Sequence, residues 1–197
     1  MKKNPVATAA TRQNFVDAFC ILLKNKPVQK ITIQAIADKA GYNRGTFYQY
    51  FCDVYDILEY VENIILAQVK ENFQQNISPD NFEQTFFEAF TKIQTEKWFY
   101  FDALFNSDSK ASFIEKLILE VSPIFMQTFQ LPPQDLKSKY LTEIYFRTVI
   151  SVLADWINGG RPLPLEEISK FLRDVLSTGV LAQINKVKQD NFLKVRI

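Results

Sequence analysis

Between Ile31 and Phe51 the chain reads ITIQAIADKAGYNRGTFYQYF, a stretch with room for little but two short helices and a tight turn. Ile33, Ile36, Ala37 and Ala40 fall at the i, i+3, i+4, i+7 spacing of one apolar helix face. Thr32 stands ahead of them, where a hydroxyl caps free backbone N–H groups. Gly41 follows the last apolar position, where a helix ends most cheaply in the left-handed conformation. Asn43 offers a second cap, and Phe47 and Phe51 give the next helix its inward stripe. Arg44, Thr46, Tyr48 and Gln49 are left on the outward face, all able to hydrogen-bond. A helix–turn–helix of this kind inserts its second helix into the DNA major groove.

Composition supports an all-helical chain. Of 197 residues, 47% are apolar and only 5 are glycine, and the β-branched alternation of strands is scarce. Net charge is +1, so the whole chain is no polycation. Met1–Tyr60 nevertheless holds eight Lys/Arg against five Asp/Glu, a mildly basic face for nucleic acid. There are no histidines, which removes the commonest general base and metal ligand. Acidic residues are scattered singly, and no Gly-rich phosphate loop or nucleophile elbow is present. An enzyme, a catalytic residue, a metal site and a cofactor are therefore not expected. Cys20 and Cys52 make neither a disulfide framework nor a metal site; Cys20, beside Phe19, Ile21 and Leu22, reads as core. The basic start has no apolar stretch behind it, and no run approaches the ~18 apolar residues of a membrane span. A cytoplasmic protein is expected.

The order of elements follows from apolar spacing and breakers. Residues 1–10 read as a loose arm, and a first helix runs from about Ala9 to Lys24 on Phe15, Ala18, Phe19 and Leu22. Pro27 lies in the link Asn25–Lys30. Asp53 caps a long helix to about Gln75, buried through Ile57, Val61, Ile64, Ile65 and Val69. In the boundary Asn76–Asp80, Ser78 is placed as a cap with Pro79 at the first helical position. A helix with Phe82, Phe86, Phe90 and Ile93 follows, then a short apolar segment Trp98–Phe105. Phe113, Leu117, Val121 and Phe125 mark a further helix that Pro123 should kink or end. Two longer helices, about Gln134–Asn158 and Pro164–Asn185, close the sequence.

The run Thr32, Ile36–Ala37, Ala40–Gly41, Gly45–Thr46–Phe47–Tyr48 and Tyr50–Phe51 resembles the DNA-binding segment of the tetracycline-repressor (TetR) family. Tyr145–Trp156 followed by Pro164–Ile168 is similar to a C-terminal branch common in Gram-positive regulators. The resemblance implies a three-helix head, residues 1–52 with the connecting helix begun to about 68, and a larger helical effector and dimerisation domain over 53–197. Arg44, Gln49 and Gln34 are then the candidates for reading base edges. Thr32, Tyr42, Thr46, Tyr48 and Tyr50 are candidates for the sugar-phosphate backbone, Gly45 permits close approach, and Asn43 completes the DNA-facing set. Where the family has a phosphate-gripping lysine after the Tyr–Phe pair, this chain has Val54 between Asp53 and Asp56. Either Lys2, Lys3 and Arg12 supply the missing charge or binding is weaker than is usual in the family. Ala35 stands where an acidic residue often completes a capping box.

Three partners follow: double-stranded operator DNA, a second copy of the chain, and a small, mostly apolar effector. Leu141, Ile144, Tyr145, Val149, Val152, Leu153 and Trp156 form one stripe of a helix apolar nearly all round, which needs cover on several sides. The last helix carries Ile168, Phe171, Leu172, Val175, Leu176 and Val180. The interface is accordingly assigned to Tyr145, Val149, Val152, Trp156, Phe171 and Val175. Twelve aromatics lie between Phe82 and Phe129. Most must be core, but the breaks among them favour a pocket lined by Phe86, Phe90, Trp98, Phe101, Phe105, Phe113 and Phe125. The expected activity is a repressor released from its operator by such a ligand. The alternative is a regulator-like co-activator that works by protein–protein contact without an inducer.

Overall fold

The computed structural model describes residues 5–73, 77–105 and 107–179, and every regular element among them is helical. The chain divides into two compact units, one up to Phe129 and one from Gln130 onward. The boundary expected at 52/53 falls inside the first unit, at the start of a helix that packs on partners from both sides of it.

Helix α1 (Pro5–Leu23) begins four residues before the expected start, so residues 5–10 are helix and not arm. Proline suits a first helical turn because its missing N–H would be unbonded there anyway, and the alanines behind it favour helix. Its Phe15, Phe19 and Leu23 are buried. After a 3-10 turn at Val28–Lys30, helix α2 (Ile33–Ala40) is capped as expected: Thr32 Oγ1 accepts the Ala35 N–H at 3.1 Å. Gly41 ends it at φ 78°. The Tyr42 N–H reaches back to the Ala37 carbonyl (2.9 Å) and the Gly41 N–H to Asp38 (3.2 Å), a Schellman closure. Space is open around Gly41, so its backbone conformation alone requires glycine.

Helix α3 (Arg44–Phe47) is a single turn, tightened beyond its end by Gln49 N–H to Thr46 and Tyr50 N–H to Phe47. Phe47 is fully buried, its ring edge-on to Phe15 at 5.5 Å and 5.7 Å from Phe51. This aromatic nucleus, with Ile36 and Ala37 of α2 at 0% exposure, fixes α3 against α1.

Helix α4 (Val54–Phe73) is buried through Ile57, Val61, Ile65 and Val69 as expected, whereas Ile64 is only half-buried. A second row, Leu58, Glu62 and Leu66, is buried as well, because α4 packs against α1, α5, α6 and α7. A turn closed by the Asn81 N–H on the Ser78 carbonyl (3.2 Å) precedes α5 (Phe82–Glu96). Here the expectation needs correcting: Pro79 sits inside this turn and Ser78 does not cap the helix. Proline's fixed φ serves a turn's second position as well as a helix start.

Helices α6 (Trp98–Phe105) and α7 (Lys110–Thr128) complete the unit. Pro123 does not end α7. It lies on an exposed face with Leu119, whose carbonyl loses its N–H partner where water can replace it. Helix α6 also lies on α1: Lys24 pairs with Asp102 and stands 5.0 Å from the Phe99 ring centre. Gln13 Nε2 donates to the Tyr100 hydroxyl.

In the second unit, α8 (Leu136–Asn158) starts at an Asp135 cap whose Oδ2 accepts the Ser138 N–H at 2.9 Å. It ends with Gly160 at φ 78°, the Arg161 N–H reaching Trp156 and the Gly160 N–H reaching Ile157. Trp156 Nε1 donates to the Leu163 carbonyl at 2.9 Å. Helix α9 (Leu165–Thr178) stops at Gly179, short of the expected Asn185; residues 180–185, with Val180, lie outside the described residues.

Candidate nucleic-acid interface

The interface is built from the caps outward. Asn43 Oδ1 accepts both the Thr46 N–H (2.9 Å) and the Thr46 hydroxyl (3.2 Å), which fixes the first turn of α3. A Cβ on Gly45 would stand 3.2 Å from that same oxygen, so glycine protects the cap as well as leaving the outer surface open. With Phe47 and Phe51 turned inward, Arg44, Tyr48 and Gln49 are left exposed. Arg44 is held ready: its Nη2 donates to the Tyr48 hydroxyl at 3.1 Å, and its Cζ lies 5.9 Å from the Tyr48 ring centre. Gln34, exposed on α2, donates to Asp38 at 2.6 Å.

The other tyrosines turn back towards α1. Tyr42 lies 5.2 Å from the Phe15 ring, and its oxygen accepts from Thr11 (3.5 Å) and Asn14 (3.2 Å). Those bonds, Thr11's first, hold the phenol below its ordinary pKa and leave its own proton to donate outward. Tyr50 is half-buried, 6.0 Å from Phe15. Thr32 is exposed with its oxygen engaged as cap acceptor, which leaves its hydroxyl proton available to an external acceptor.

Arg12 carries a signal that its sequence position alone did not give. Its guanidinium carbon lies 5.8 Å from both the Tyr50 and the Tyr60 ring centres, which places a cation between the recognition turn and α4. The acidic pair around Val54 has a local task. Asp53 Oδ1 accepts from the Tyr55 and Asp56 N–H groups, and Asp56 Oδ2 from the Cys52 N–H, a reciprocal cap on α4. Lys2 and Lys3 lie outside the described residues. Burial pushes the Cys20 thiol up to about 12, and Cys52 is exposed. Among the described residues no group of three or more His, Cys, Asp or Glu is placed to hold a metal ion. None of the described helices is long and apolar enough to cross a membrane.

Residues 16–61 match the sequence profile of bacterial regulatory proteins of the tetR family, and residues 80–178, just over half of the chain, match the transcriptional regulator C-terminal region of TetR type. The chain belongs to the TetR family. It is thus a DNA-binding transcription regulator of helix–turn–helix type. Solved TetR-like structures share its fold. SmeT, repressor of the Stenotrophomonas maltophilia multidrug efflux pump SmeDEF, is 17% identical over 86% of this chain and 89% of its own, with TM-score 0.62. The fatty acid degradation regulator FadR from Bacillus halodurans is 15% identical over 91% and 98%, with TM-score 0.61. The dihydroxyacetone kinase operon activator DhaS is 18% identical over 89% and 96%, with TM-score 0.55. No curated protein sequence matches the chain.

The aromatics assigned to an effector pocket of this TetR chain pack ring against ring. Phe101 stacks on Phe105 at 4.2 Å, with Phe90, Trp98 and Phe113 joined at 5.7, 6.5 and 5.7 Å. Phe86 packs on Phe73, and Phe125 on Phe82. All seven are buried except Trp98, which is half-exposed. The residues assigned to the dimer face separate. Val149 (0% exposed) and Trp156 (7%) are buried by the chain itself and must be withdrawn from an outward face. Tyr145, Val152 and Val175 are half-buried and Phe171 is exposed. Leu136 and Tyr140, omitted by the sequence reading, are exposed along with Leu141 and Ile144. Their four-residue steps to Ile144 were the available signal.

Proposed function

We propose that the chain is a homodimeric repressor that binds a two-fold symmetric operator and leaves it when a small apolar effector binds. The observation that carries the DNA reading is the capped turn of α3, which exposes Arg44, Tyr48 and Gln49 while its aromatic side is buried. In this reading Arg44 gives a bidentate pair to a guanine, and Gln49 and Gln34 read further base edges. Thr32, Tyr42, Thr46, Tyr48 and Tyr50 position the head on phosphates, with Arg12 supplying the cation that Val54 does not. Gly45 keeps the backbone close to the groove.

The second copy covers the apolar surface of α8 and α9 with Tyr145, Val152, Phe171 and Val175 in the contact, extended by Leu141 and Ile144. The effector enters the α5–α7 aromatics beside Trp98, separating rings that otherwise pack on one another. SmeT, of like fold, forms a complex with triclosan, which supports ligand response in this fold. A ligand there favours release only by binding the DNA-incompetent shape more tightly.

Operator selection with purified protein, followed by titration of the selected duplex, tests the reading. Arg44→Ala is expected to cost about 1–3 kcal/mol of binding and relax preference at one base pair per half-site. Unchanged affinity and unchanged preference would place the recognition surface elsewhere. DhaS, an activator of the same fold, makes the direction of control a separate measurement: transcription of the target should rise when the gene is deleted.

A further inference from the structure

Gln34 and Asp38 stand one turn apart on the exposed side of α2, whose Ile36 and Ala37 are buried. Gln34 Nε2 donates to Asp38 Oδ1 at 2.6 Å, and neither side chain has another hydrogen-bond or ion-pair partner among the described residues. An amide nitrogen only donates and its oxygen only accepts, whereas a carboxylate only accepts. The pairing therefore admits one orientation of the Gln34 amide, nitrogen towards Asp38 and oxygen free. Without the carboxylate the same amide can turn over and offer either end.

Asp38 is otherwise poorly placed. It lies in the last turn of α2, where the helix dipole disfavours a negative charge. The surface it shares with Gln34 is the one read as facing DNA, where phosphates repel a carboxylate. The hydrogen bond from Gln34 is its one favourable side-chain contact among the described residues.

We propose that Asp38 is a positioning residue that makes Gln34 an acceptor for the exocyclic amino group of an adenine or cytosine. In the major groove adenine N6 and cytosine N4 donate, whereas guanine O6 and thymine O4 accept. The fixed oxygen bonds the first two and meets a lone pair on the others. Adenine gains most, because the second N–H of the amide can reach N7 beside the amino group. Arg44 has only donors, so α3 selects guanine while α2 selects a base of the opposite chemistry. The inference rests on the reading of α2 and α3 as the recognition surface.

Selection from a random duplex library with the full-length protein supplies the operator, and fluorescence anisotropy at fixed salt then reads single-group changes in it. Gln34→Ala marks the position concerned as the one where preference relaxes. Every base pair carries one amino group in the major groove, so the identity of the pair alone does not decide. Purine in place of adenine there, or 2-pyrimidinone in place of cytosine, removes that group. Its loss should weaken wild-type binding about tenfold and leave Gln34→Ala binding unaffected. In Asp38→Ala the same loss should weaken binding less than about threefold, with affinity for the selected operator unchanged or raised because a repelling charge has gone. Asp38→Glu keeps an acceptor within reach and should restore the full effect. The proposal is overturned if Gln34→Ala relaxes no position, or if removing the amino group leaves wild-type binding unchanged. It is equally overturned if Asp38→Ala keeps the wild-type effect, or weakens all duplexes alike as a merely structural role would. Should no duplex be enriched, or Arg44→Ala change neither affinity nor preference, the recognition surface itself is misplaced and this inference falls with it. Relaxation in Arg44→Ala with none in Asp38→Ala overturns this inference alone.

Discussion

Asn43 shows how much a single side chain settles in a one-turn helix. Its Oδ1 holds two groups of Thr46, and α3 has no later turn to share the load. Asn43→Ala should lower stability by about 1 kcal/mol, read from a urea midpoint, and weaken operator binding further because Arg44 loses its platform. Gly41→Ala should cost a comparable amount, roughly 1–2 kcal/mol, for a different reason: strain at φ 78° with open space around it. Both caps and the glycine were legible in the sequence, since each is a local requirement of the backbone. The backward turn of Tyr42 and Tyr50 was not, because it depends on where α1 places Phe15, Thr11 and Asn14. Arg12 was named as a replacement cation, but its tyrosine neighbours were not legible for the same reason: they are 38 and 48 residues away along the chain.

Helix boundaries followed the strength of their punctuation. Trp98–Phe105 matched the expected segment, whereas Pro79 lies in a turn and not at a helix start, and Pro123 does not end α7. Proline constrains its own φ and donor, and the surroundings decide whether that makes a turn, a start or an exposed gap in a helix. At α8 the start is electrostatic. Hydrogen bonds from Ser138, its backbone N–H first, hold the Asp135 carboxyl below the usual range. A depressed folded pKa contributes stability that is present above the unfolded value near 3.9. It is lost as pH falls through the lower folded value. Circular-dichroism melts between mild and strongly acid pH should therefore converge for wild type and Asp135→Ala at the acid end and separate above the unfolded value.

At the scale of the whole molecule, the all-helical class and the DNA-binding head were readable because local signals and apolar period agreed. The division of α8 between inner and outer faces was not, because a helix apolar nearly all round carries no label for which side meets its own chain. The structure supplies that label and with it a sharper prediction. Ile144→Asp or Val152→Asp should yield folded protein of 22.9 kDa by light scattering in place of the dimer. Val149→Asp, at a position buried within one chain, should instead lower the melting temperature. Dimers persisting in both outward variants would reject the proposed surface.

The contacts between α6 and α1 have a mechanical consequence. Tyr100 and Asp102 are two residues apart and so point in nearly opposite directions from their helix. They grip Gln13 and Lys24, eleven residues apart and thus ~16 Å along α1. Helix α6 is a crossbar fastened on both sides of its own pivot. A crossbar of that kind transmits torque. Displacing it would strain both fastenings on α1, the helix whose Phe15 ring supports α3.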